Sequence, residues 1–201
     1  MSELDVLQAV RLKGRVTKAN LAATLHSDHA AAAAEIAALV DAGLLVTGET
    51  IRISPKGRKR LAELLAEERS GIDQPAMTAA YAEFRSVNSD FKSLVTAWQI
   101  RDNRPNTHED AEYDGGILAQ LDGIHDLVLP IIAAAATQLP RLGSYADKLS
   151  ASVAKIAARE TIWFTRPLID SYHTVWFELY EELLQAAGLT REDETEAGYA
   201  P

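Results

Sequence analysis

Between residues 74 and 188, large apolar side chains recur at three- and four-residue steps. This spacing commits that part of the chain to helices packed side on side. Phe91, Leu94, Val95 and Trp98 make one stripe, and Ile117, Leu121, Ile124, Val128 and Ile131 a second. Tyr172, Val175, Trp176, Leu179 and Leu183 make a third. Each stripe covers one side of a helix, as the 3.6-residue period requires. The expectation is an all-α bundle of five or so helices over residues 74–190. One runs from Ala76 to Arg85, and a second carries the Phe91 stripe. The polar segment RDNRPNTHEDAEYD reads as a loop ending in Thr107, a helix cap, with Glu109 and Asp110 in the first turn that follows. Pro130 should kink or break the long helix beyond it, and Leu139-Pro140 closes that unit. Tyr145–Ala158 is another helix. In the last, Thr165 followed by Arg166-Pro167 reads as the start, because proline's missing N–H costs nothing in a first turn. Gly188 ends it, and residues 191–201 are an acidic, frayed tail.

Residues 1–70 follow a different order. Leu4 to Leu12 form a helix ended near Gly14. Thr17 caps a second helix through Leu25, and Asp28 a third that stops at Gly43. Leu44-Leu45-Val46 and Ile51-Arg52-Ile53 flank a glycine-containing turn and read as a β-hairpin. Ser54-Pro55 opens a fourth helix. Helix, helix, helix, hairpin, helix is the order of a winged helix-turn-helix domain. DAGLLV…IRISPKGRKRL resembles the wing region of MarR-like regulators. The fold class expected is therefore mainly α, a winged-helix head joined near Gly71 and Pro75 to a helical bundle.

Charge and composition narrow the function. The net charge is −9. Residues 1–70 hold ten Lys/Arg against nine Asp/Glu, and the remainder ten against twenty, so a mildly basic head joins an acidic body. Such a body repels nucleic acid at long range. With no cysteine there is no disulfide, thiolate metal site or cysteine nucleophile. No signal peptide is visible and no stretch reads as a membrane span, so a cytoplasmic location is expected. A DNA-reading head would place its third helix in the major groove. That helix offers Ser27, Asp28, His29, five alanines from Ala30 to Ala34, and Glu35, none of which makes the bidentate base contacts that specify sequence. Lys56, Arg58, Lys59 and Arg60 could touch phosphates or be solvated. A smooth alanine face suits docking against protein.

The body holds the remaining chemistry. Arg166, Asp170, His173, Phe177 and Glu181 share a helical stripe beside the packing face. With Lys92 and Arg159 they supply cations, a carboxylate and an imidazole. Trp98, Tyr113, Trp163, Trp176, Phe177 and Tyr180 could line an aromatic pocket around them, or simply form core. His108, Asp110 and Asp114 have spacing open to a metal, but early acidic residues also suit the helix dipole. No metal site is assigned. No Walker A loop, GxGxxG, HExxH or GxSxG occurs.

FKSLVTAWQIRDNRPNTHEDAEYD and TRPLIDSYHTVWFELYEELLQAAGLTRE resemble a helical region of actinobacterial proteins related to pyruvate, phosphate dikinase and phosphoenolpyruvate synthase. Tyr180 departs from the histidine expected there. The resemblance implies one subunit of an ATP-dependent phosphotransferase of the aryl phosphate synthase type. Such a subunit binds the acceptor, a phenolic compound, or docks the phosphohistidine carrier. ATP and Mg would be held by a partner, since this chain has neither an ATP module nor a Thr-Ser-His motif. His173, oriented by Asp170, would take the phenol proton. Arg159, Arg166 or Lys92 would neutralise the moving phosphoryl group. The alternative is a winged-helix transcription regulator that uses Lys56, Arg58, Lys59 and Arg60 on DNA and whose bundle binds an effector or dimerises.

Overall fold

The computed structural model describes residues 2–196. The chain is mainly helical and divides into two compact units, Met1–Ile72 and Asp73–Pro201.

In the first unit, α1 (Glu3–Lys13) opens on a reciprocal cap in which Ser2 Oγ accepts the Asp5 amide at 3.2 Å and Asp5 accepts the Ser2 amide at 2.7 Å. Thr17 caps α2 (Lys18–Thr24), and Asp28 caps α3 (His29–Asp41) by accepting from the Ala30 and Ala31 amides. Gly43 follows α3 with φ +73°, letting the Gly43 and Leu44 amides turn back onto the helix's last carbonyls. Strands β1 (Leu45–Val46) and β2 (Arg52–Ile53) pair antiparallel, Leu45 opposite Ile53, and Val16 bridges to Ile51.

Helix α4 (Pro55–Arg69) starts on Ser54, whose hydroxyl accepts the Gly57 amide at 2.9 Å and donates to the Gly43 carbonyl at 2.7 Å. One residue thus ties the end of α3 to the start of α4. Gly57 lies so close to the preceding chain that a Cβ there would sit 2.1 Å from the Leu44 carbonyl oxygen. The core is aliphatic, built on Val6, Leu7, Val10, Leu21, Ile36 and Leu61. No Phe, Tyr or Trp occurs in residues 1–72.

The second unit begins with α5 (Gln74–Gln99), one continuous helix. The expected break between Arg85 and Phe91 does not occur. Asn88 sits in that interval, buried, and its side-chain oxygen accepts the Trp176 indole N–H at 2.8 Å. A polar residue that reads as loop is here a packed hydrogen-bond partner. β3 (Ile100–Arg101) and β4 (Arg104–Pro105) form a minimal hairpin whose turn residues Asp102 and Asn103 both have positive φ. Two positive-φ residues in a two-residue loop fit a type I′ turn.

Helix α6 (Ala111–Gln138) is capped by Asp110 rather than Thr107 and runs through Pro130 without ending. It is long and apolar enough in composition to cross a membrane, so the expectation that no stretch reaches that length needs this correction. Its Ile117, Leu121, Val128, Ile131, Ile132 and Ala135 are buried within the unit, as in a bundle's core helix.

A 3-10 turn (Pro140–Gly143) leads to α7 (Ser144–Ala157), then come the short α8 (Ile162–Thr165) and α9 (Tyr172–Ala186). Residues 191–196 form a further helix, α10, instead of a frayed tail. Arg191 pairs with Glu181 at 2.7 Å and Arg85 with Glu194 at 3.8 Å, which seats α10 on its neighbours. Residues 197–201 of the expected tail lie outside the described residues. Glu182, 2% exposed, is held at 2.7 Å by Arg141 and receives the Tyr145 hydroxyl at 3.4 Å. Burial beside that carboxylate pushes the Tyr145 phenol well up.

Candidate functional site

The stripe Arg166–Asp170–His173–Phe177–Glu181 is divided by the structure. Thr165 ends α8, Pro167 to Asp170 form a turn with Leu168 at φ +69°, and α9 starts at Tyr172 behind the Ser171 cap. Arg166-Pro167 is therefore not a helix start. A proline followed by a left-handed residue cannot propagate one. Arg166 and Asp170 are set by this turn, and the Ser152 hydroxyl holds it by donating to the Asp170 carbonyl at 2.8 Å.

His173 is half-buried, its ring stacked on Phe91 at 6.1 Å between centroids. Burial lowers its pKa, so the ring is uncharged at neutral pH, with a lone pair free to accept a proton. Lys92, Arg159 and Arg166 are exposed, Arg159 at φ +69° just past α7.

Two of the six aromatic residues expected to line a pocket are core. Trp176 is 2% exposed and enclosed by Phe91 at 4.3 Å, Phe84 at 5.1 Å and Tyr172 at 5.8 Å. Trp98 is also buried, between Phe164 at 5.1 Å and His108 at 4.3 Å. Rings fill the space that a ligand ring would need. Tyr180 packs on Phe84 and Tyr81. Trp163 lies under Lys155 Nζ at 3.2 Å, and Phe177 is half exposed.

Two grooves open at and beside the β3–β4 hairpin. A groove of about 740 Å³ is lined by Arg101, Arg104, Asn106, Thr107 and Asp110, among others. A second, of about 370 Å³, shares Asp110 and continues along Tyr113, Gly116, Ile117 and Gln120. Arg101 donates to Asp110 at 2.8 Å while its guanidinium covers the Tyr113 ring at 4.4 Å. The Tyr113 amide and the Arg101 guanidinium hold Asp110 below the usual carboxylate range, and Asp110 in turn raises Arg101. Tyr113 is itself fixed by donating to the Ala97 carbonyl at 3.0 Å.

Behind the groove, His108 has φ +60°, packs tilted against the Trp98 ring and pairs with Asp114 at 3.0 Å. Asn106 links this pair to the end of α5 by donating to Asp114 at 3.0 Å and to the Trp98 carbonyl at 3.1 Å. Asp110 is thereby spent on Arg101 and the α6 amides. No group of three His, Asp or Glu side chains able to hold a metal gathers among the described residues. The groove can hold a planar polar group by stacking and hydrogen bonding.

A third arrangement escaped sequence reasoning. His125 on α6 stands between Ser150 of α7, whose Oγ is 3.2 Å from Nε2, and Tyr172 of α9, whose hydroxyl is 3.4 Å from Nδ1. Its partners lie 25 and 47 residues away in the chain, on other helices, where helical periodicity along α6 does not reach. No family model, curated protein or solved structure matches the chain.

Proposed function

We propose that the chain is a non-catalytic-alone subunit of a dikinase-like, ATP-dependent phosphotransferase. Its first unit is a winged-helix module used for protein docking, and its second holds a phenolic acceptor or docks the phosphohistidine carrier. ATP and Mg belong to the partner, and the location is cytoplasmic. The observation that carries this reading is the outer face of α3, where Ala30, Ala31, Ala33, Ala34, Ala37 and Ala38 are exposed. Methyl groups cannot form the hydrogen bonds that read bases.

The basic residues near the hairpin are also partly committed elsewhere. Lys56 Nζ donates to the Ala42 carbonyl at 2.8 Å, closing the C-terminus of α3. Arg60 pairs with Glu3 at 3.1 Å. In the phosphotransferase reading, neutral His173 takes the phenol proton. Arg166, Arg159 and Lys92 offset phosphoryl charge, which is most of what proteins contribute to such transfers.

The alternative, a DNA-binding regulator, keeps one supporting feature: Arg58 and Lys59 are exposed on the first turns of α4, behind the hairpin. Co-expression with an ATP-binding dikinase-like partner, followed by phosphorus NMR of a phenol–ATP mixture, tests the first reading. His173→Ala should abolish aryl phosphate and leave the complex intact. A tight, sequence-selective duplex shift that Arg58→Glu and Lys59→Glu abolish would sink that reading and establish the second.

A further inference from the structure

We propose that Ser150 is a histidine-activated nucleophile that takes up an acyl or phosphonyl group from a small, uncharged activated ester at the open side of α7. Ser150 is exposed, His125 is 9% exposed, and Tyr172 is fully buried. For Nε2 to accept the serine proton, the imidazole must carry its own proton on Nδ1, which donates to the Tyr172 oxygen. Nucleophile, base and the group that fixes the base thus stand in line on three helices.

Three other helical hydroxyls of this unit behave differently. Ser93, Thr78 and Thr96 each donate to the carbonyl four residues back, at 3.1, 2.9 and 2.9 Å. Ser150 is engaged by an imidazole instead.

Burial keeps His125 neutral, while Asp122 and Asp126 on the same helix favour the cation that forms once the proton arrives. The same carboxylates disfavour anionic esters. Ser150 Oγ bonds to the carbonyl carbon, its proton passes to Nε2, and the ester C–O bond breaks. The leaving aryl oxide takes that proton, and water later repeats the route to release the acid. With a fluorophosphonate, the P–O bond forms, P–F breaks, fluoride leaves and the proton goes to water.

The test is to treat the full chain with a neutral alkyl fluorophosphonate and read each serine by peptide mass spectrometry. Exposed Ser89 and Ser93 serve as internal references. Ser150 should label about a hundredfold faster than either, the usual scale of general-base assistance. Its rate should hold above about pH 6.5 and fall below it, as the imidazole is protonated. His125→Gln should reduce Ser150 to the reference rate. Tyr172→Phe, which leaves the ring in place, should slow it severalfold and move the pH profile. Equal rates at Ser150, Ser89 and Ser93, or a pH-independent rate at Ser150, would overturn the proposal.

Discussion

Replacing Gly57 by alanine sets two physical effects against each other. Gly57 lies in the first turn of α4, where alanine is the better helix former by about 1 kcal/mol. Its α-carbon, however, faces the chain that leads into β1. An added Cβ would stand 2.1 Å from the Leu44 carbonyl oxygen and 2.9 Å from Ile53 Cγ1. That carbonyl also accepts the Ser54 amide at 3.0 Å, so moving it disturbs the cap of α4. A backbone displacement of more than an ångström belongs at the upper end of overpacking costs, about 3 kcal/mol. The net loss is then about 2 kcal/mol, roughly thirtyfold in the folding equilibrium. For a unit of this size that lowers the melting temperature by roughly 8–16 °C. Circular dichroism at 222 nm, followed on heating for wild type and Gly57→Ala, measures it. A variant that melts at or above the wild-type temperature would mean that α4 and the β1 approach are not this close.

Arg141→Met removes the partner of a carboxylate that is 2% exposed, and should cost about 3–5 kcal/mol in urea unfolding, with most of it restored by adding Glu182→Leu. A loss of no more than about 1 kcal/mol would be the behaviour of a surface pair. Burial holds His125 and His173 below their ordinary value of 6.5, so the unfolded chain binds the proton first. Stability should be flat above about pH 6.5 and fall as the pH drops below it, until the folded-state pKa values are passed. Urea midpoints should show this, and the His125→Gln/His173→Gln double variant should flatten the fall. An unchanged slope in that variant would refute the assignment.

The elements easiest to read from sequence were those whose start or stop is a local contact. Thr17, Asp28 and Ser54 each cap the helix expected of them, and Gly43 stands in the left-handed conformation just past α3. Errors arose where distant residues decide. Asn88 and Ser89 look like a break until Trp176, 88 residues on, supplies the partner that keeps α5 continuous. Thr107 and Pro167 each carry a local start signal. His108 and Leu168, the residues that follow them, have positive φ and stop a helix from beginning there, so the caps are Asp110 and Ser171. The aromatic stripe was legible as a stripe, but whether its rings enclose a ligand or one another depends on α5 meeting α9.

All three tryptophans and every described tyrosine and phenylalanine belong to the second unit, and the first has an entirely aliphatic interior. Ultraviolet-excited emission therefore sees only residues 73 onward. Any unfolding step detected by the peptide backbone signal but invisible in that emission is the melting of the first unit, so the two can be timed separately in the intact chain without attaching a dye.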